Sequence, residues 1–158
     1  MTEFERLTGI IARLRGEGGC DWDRAQTHES LKRHCIEEAC EVVAGINRLS
    51  ATGNADNLKE ELGDLLFQVM IHAQIAKEEG LFDIEDVCRT ISDKMIYRHP
   101  HVFGDAERPD DIMGTWEELK NAEKKGDDRD EGMRYLKEAF NESEDLIEKA
   151  RERKKLTR

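Results

Sequence analysis

The chain has 158 residues, 39% of them charged and 37% hydrophobic, with a formal net charge of −11 and two prolines. That length allows one domain with a real core, and the composition fits a soluble, helix-rich protein. The acidic excess argues against a nucleic-acid partner, whose phosphates need clustered Lys and Arg, and no run of about 18 apolar residues is present to cross a membrane.

The opening residues MTEFERLTGI lack the basic start and apolar stretch of a signal peptide, so the expected location is the cytoplasm. Phe4, Leu7, Ile10, Ile11 and Leu14 recur at helical spacing and predict a first amphipathic helix over residues 3–15. Glycines 16, 18 and 19 end it. Cys20 to Ser30 reads as a loop without period, in which Trp22, Gln26 and His28 either line a site or, for Trp22, plug a core edge. Thr27, or alternatively Ser30, caps a second helix running to about Leu49. Ser50 to Asn54 is a short link, so the second helix and the third, Asp56 to Glu79, are expected as antiparallel neighbours. Gly63 inside the third helix reads as a close helix approach or as a tolerated exception.

A fourth helix starts near Asp83 and carries Ile84, Val87, Cys88, Ile91, Met95 and Ile96 as an expected buried stripe. Lys94 and Arg98 stand at i,i+4 near its C-terminus, where cations are also favoured by the helix dipole. Pro100 ends that helix. Asp105 to Met113 reads as a loop, and Thr115 to Lys125 as a short helix with Trp116, Glu117 and Lys120. An indole and an ammonium at i,i+4 can hold a base and a phosphate, or can pack on each other. Beyond Gly126 the chain is almost all charged and is expected as an exposed helix, frayed at its end, that pairs with a second subunit. Cys20, Cys35, Cys40 and Cys88 form no Cys-x-x-Cys pair and are expected as reduced, buried thiols.

Two carboxylate clusters interrupt this pattern. At about 100° per residue, Glu37, Glu38 and Glu41 share one arc beside the apolar Leu31, Cys35, Val42 and Ile46, and Glu60, Glu61 and Asp64 repeat the geometry on the third helix. In an antiparallel hairpin the clusters converge. Like charges so close raise one another's pKa, and leaving them unpaired under desolvation is costly. A divalent cation removes the conflict. The plainer alternative is a solvated, Glu-rich helix face.

Glu37-Glu38-x-x-Glu41 followed by Glu61-x-x-Asp64 resembles the EExxE and ExxD motifs of the MazG family of nucleoside triphosphate pyrophosphohydrolases. Three flanking signatures agree: Gly19 to Asp23 with Gln26-Thr27-His28 and Ser30-Leu31, Asp93-Lys94 with Arg98 to Phe103, and Trp116-Glu117 with Lys120. Asp21 stands where the family usually has Pro, and the tail from about Asp127 departs from the usual continuation.

The resemblance implies an all-α helical bundle of about four core helices plus a short helix and a charged C-terminal helix. Its catalytic module would span residues 1–126, with 127–158 as a helical tail. It implies a homodimer or higher homo-oligomer that hydrolyses a nucleoside triphosphate to monophosphate and pyrophosphate. Glu38, Glu41, Glu61 and Asp64 would hold Mg²⁺, with Mn²⁺ as a substitute, and Glu37 or Glu60 would handle the water. Lys94, Arg98 and Lys120 would meet phosphate oxygens and Trp116 the nucleoside. Three rivals stand beside it: a relative acting on phosphoribosyl-ATP, a non-catalytic helical adaptor, and a di-metal carboxylate oxidase. The last uses Glu-x-x-His pairs, and the chain contains none.

Overall fold

The structure is a computed structural model and describes residues 1–123 and 127–156. Among these it is all-α: α1 (Glu3–Arg15), α2 (Asp21–Ala25), α3 (His28–Thr52), α4 (Asp56–Glu78), α5 (Ile84–Arg98), α6 (Pro100–Phe103), α7 (Ile112–Glu123) and α8 (Asp127–Arg153). Two compact units divide it, Met1–Ile84 with Ser143–Arg158, and Glu85–Glu142. No described helix is long and apolar enough to cross a membrane.

The first unit is built on local signals that agree with one another. Thr2 and Glu5 form a reciprocal capping box at the start of α1, and Thr27 and Ser30 form another at the start of α3. The two alternative caps for that helix therefore act together. α3 continues past Leu49 to Thr52 and stops at Gly53, whose φ of 73° is left-handed and suits glycine. Ile11 of α1, Leu31 of α3 and Met70, Ile71 and Ile75 of α4 make the core, with Leu7, Phe67 and Ile84 against it.

Two short helices replace expected irregular chain. α2 lies within the segment read as a loop, too short to show a period. Arg15, with a side chain only 7% exposed, holds this segment. Its guanidinium donates to the carbonyls of Asp23 at 2.6 Å and Gln26 at 3.2 Å and pairs with Glu78 of α4 at 2.7 Å. α5 ends at Arg98 as its proline requires, but Pro100 then serves as the first residue of the one-turn α6. α7 starts at Ile112, inside the expected loop. Its expected end at Lys125, and the expected module boundary at residue 126, lie outside the described residues.

The expected buried stripe of α5 and the apolar faces of α3 and α4 are only partly buried. Val43 and Ile46 of α3, Leu62, Leu66 and Val69 of α4, and Ile91 and Ile96 of α5 are all exposed. Periodicity marks which face is apolar without saying what covers it. Trp22 is half exposed and meets the His34 ring edge-on, with centroids 5.9 Å apart, so it is not a core plug. All four cysteines are free, and Cys20 and Cys40 are exposed rather than buried.

Through Leu156 the end of α8 is closed by a defined turn, and the fraying expected of the last residues, 157–158, lies outside the described residues. Leu156 N donates to Arg151 O at 2.9 Å and Lys155 N to Glu152 O at 3.1 Å, while Lys155 takes a left-handed φ of 54°. This is the Schellman pattern that closes a helix and folds the next apolar residue back.

Candidate metal centre

The site rests on how closely α3 and α4 approach. Gly45 is buried, and a Cβ there would stand 2.9 Å from Leu58 Cα, so only glycine lets the backbones meet. Gly63 has open space around its Cβ position. The close approach foreseen near the acids is therefore made by Gly45, one helix over.

Below that contact the helices run antiparallel, as the pairs show: Gly45 with Leu58, Glu38 with Glu61 and Asp64, Cys35 with Gln68, His28 with His72. One carboxylate oxygen from each of Glu38, Glu61 and Asp64 lies within 4.8 Å of the others. Burial, then the charges of Asp64 and Glu61, push the Glu38 carboxyl above the usual range, and Lys154 pulls it back. Asn57, one turn before Glu61 on α4, donates its amide to that carboxylate at 2.7 Å.

Such a trio fits a hard divalent ion. It supplies oxygen donors only, and its mutual repulsion is the conflict a cation relieves. Three carboxylates also leave coordination positions for water and phosphate, which suits Mg²⁺ better than a closed protein cage.

The other acids stand differently. Glu41 pairs with Lys154, and Glu37 with Arg153, both cations coming from the end of α8 in the same unit. Glu60 is exposed on α4. Nothing in the local sequence around Glu37 or Glu41 announces these partners, which lie more than a hundred residues away.

Beside the acids is a cluster that sequence reasoning placed only in part. The His28 and His72 rings stack with centroids 5.0 Å apart and Nδ1 atoms 2.7 Å apart. His72 Nε2 lies 3.4 Å from Cys35 Sγ, and His28 Nε2 faces Glu79 at 3.8 Å. Burial, then His28, holds His72 below its ordinary value.

In the second unit Arg98 and Lys120 both lie over the Trp116 ring, 5.0 and 4.9 Å from its centroid. Arg98 also makes a two-pronged pair with Glu123, at 2.8 and 2.7 Å. Lys120 sits 3.9 Å from Glu117. Lys94 is half-buried on α5, one turn before Arg98.

A profile of the MazG nucleotide pyrophosphohydrolase domain matches residues 26–103. Residues 26–103 are a MazG domain. The match contains the acids of α3 and α4 together with Lys94 and Arg98, and stops before Trp116, Lys120 and α8. The chain is 53% identical over 121 residues to the nucleoside triphosphate pyrophosphohydrolase/pyrophosphatase MazG of Thermotoga maritima, covering 77% of this chain and 45% of that protein. It is 46% identical over 127 residues to the nucleoside triphosphate pyrophosphohydrolase of Escherichia coli K12, covering 78% and 47%. Against YabN of Bacillus subtilis the identity is 48% over 124 residues, covering 77% and 24%. The chain thus spans less than half the length of each of these MazG-domain relatives.

Proposed function

We propose that the chain is a Mg²⁺-dependent nucleoside triphosphate pyrophosphohydrolase that releases a nucleoside monophosphate and pyrophosphate and clears nucleotides from the cytoplasmic pool. The observation that carries this reading is the convergence of Glu38, Glu61 and Asp64, from both family motifs, across the α3–α4 hairpin. The names of the Thermotoga maritima and Escherichia coli relatives point the same way.

In this reading Glu38, Glu61 and Asp64 hold the ion, and Glu41 joins them once released from Lys154. A bound Mg²⁺ supplies Lewis-acid polarisation of the attacked phosphate and a place for the nucleophilic water. Glu37 and Glu60, outside the trio, orient that water or take its proton. Lys94, Arg98 and Lys120 bind phosphate oxygens and offset charge on the departing pyrophosphate. Trp116 contacts the nucleoside, and a base stacking on its indole exchanges with one of the cations over the ring.

A homodimer or higher homo-oligomer belongs to the proposal. Its support is the set of apolar side chains on α3 and α4 that one chain leaves exposed, Val43, Ile46, Leu62, Leu66 and Val69. The four free cysteines fit a reducing compartment.

The test is pyrophosphate release from a panel of ribo- and deoxynucleoside triphosphates with Mg²⁺ and then Mn²⁺. Glu38→Ala and Asp64→Ala are each expected to lose about a hundredfold or more in rate, since even outer-sphere partners of a metal contribute 10–100-fold. Unchanged rates in both variants would remove the metal assignment.

A further inference from the structure

The end of α8 puts two cations on the acid face of α3. Arg153 pairs with Glu37 and Lys154 with Glu41. Lys154 is felt further in, because its charge also draws the Glu38 carboxyl down against the pull of its acidic neighbours. Glu41 is one of the four carboxylates read as ligands from the family motif, and it is the one outside the converged trio.

Two further features show that this terminus is seated rather than merely nearby. The Schellman turn stops the helix immediately after Arg153 and Lys154 and folds Leu156 back, at the expense of a left-handed non-glycine residue, Lys155. Leu156, Ile147 and Ala150 then share a groove with Ile36, Cys40 and Ala44 of α3. Cations at a helix C-terminus are favoured by the dipole in any protein. The turn and the groove are what aim these two at Glu37 and Glu41.

We propose that Arg153 and Lys154 form a tethered cationic clasp that competes with the divalent ion for the acids of α3, so that metal loading requires the end of α8 to release Glu41. The inference rests on the metal reading proposed above. Because the fold holds these cations beside the acids, their competition with the ion is intramolecular, and such a clasp sets the metal concentration at which the site fills. Each half-exposed ion pair is worth a factor of only a few, which makes the clasp weak enough to yield to a divalent ion.

The experiment is direct Mn²⁺ binding to the full chain, followed by electron paramagnetic resonance of the free ion. Four proteins are compared: the unaltered chain, Arg153→Gln/Lys154→Gln, Asp64→Asn, and Arg6→Gln/Arg13→Gln as a control that removes the same charge from α1. The tail variant is expected to bind Mn²⁺ about fivefold more tightly, with Asp64→Asn weakened and the α1 control unchanged. Asp64-dependent binding that is no tighter in the tail variant would overturn the clasp while leaving the metal site standing. Equal tightening in the α1 control would overturn it too, by reducing the effect to net charge. Loss of all Asp64-dependent binding in the unaltered chain would overturn the metal reading and the clasp with it.

Discussion

Asn57 illustrates how little separates a useful carboxylate from a solvated one. Its amide holds one oxygen of Glu61 at 2.7 Å and so fixes the orientation of that side chain toward Glu38 and Asp64. Asn57→Ala should therefore weaken Mn²⁺ binding about tenfold, while the melting temperature stays near that of the parent because the side chain is only partly buried. A melting temperature that falls with an unchanged affinity would assign Asn57 to the fold instead. The acids themselves were readable in the sequence, since charge inside an apolar period needs an explanation. Asn57 was not, because an amide four residues before a Glu has no meaning until the register with α3 shows what that Glu faces. The partners of Glu37 and Glu41 were hidden for a stronger reason: they arrive from the far end of the chain.

The α3–α4 hairpin was predicted from its short link and from the two acid clusters, and it holds. What periodicity could not supply was the depth of contact, which depends on a single missing Cβ. Gly45→Ala is expected to destabilise the protein by about 1–3 kcal/mol, as overpacking does, lowering the melting temperature by about 2–4 °C for each kcal/mol in a chain of this size. Gly63→Ala meets no atom within 4 Å and should instead stabilise by about 0.5–1 kcal/mol through helix propensity. Thermal melts of the two variants separate these outcomes by sign. Both glycines lie in strongly helical sequence, so nothing in the sequence told them apart.

The histidine pair gives the same hairpin a pH dependence. The Nδ1 atoms of His28 and His72 are 2.7 Å apart, so one must donate and the other accept, and both rings cannot be cationic together. His72 is held below its ordinary 6.5, first by burial and then by His28. Around the pair stand Cys35, Gln68 and Glu79, the last with its carboxylate 3.8 Å from His28 Nε2. A histidine depressed in the folded state contributes stability that is full above 6.5 and is lost as pH falls toward its folded value, because the unfolded chain takes up the proton first. Urea midpoints measured at about pH 8 and pH 5.5 should therefore drop on acidification, and His72→Asn should flatten that drop. An identical drop in the variant would place the dependence elsewhere.

At the scale of the whole molecule, the all-α class and the main helices were legible because amphipathic periods, caps and glycines agreed with one another. The short α2 and α6 were not, as five and four residues carry no period. Neither was the exposure of the apolar faces, which requires knowing what each helix lacks as a partner. If a second copy covers those faces, Leu66→Glu with Val69→Asp should shift the protein from oligomer to monomer in sedimentation velocity. An oligomer unaffected by both changes would place the interface elsewhere. The seated end of α8 was also out of reach, since a run of charge reads as solvated until its counter-charges are located.

The proposed reaction makes one demand that no adaptor or phosphatase meets. Phosphorus NMR of the full chain with a nucleoside triphosphate and Mg²⁺ should show monophosphate and pyrophosphate appearing in equal amounts, with neither formed by Asp64→Asn. Appearance of diphosphate and inorganic phosphate, or persistence of the triphosphate across the whole nucleotide panel, would contradict it.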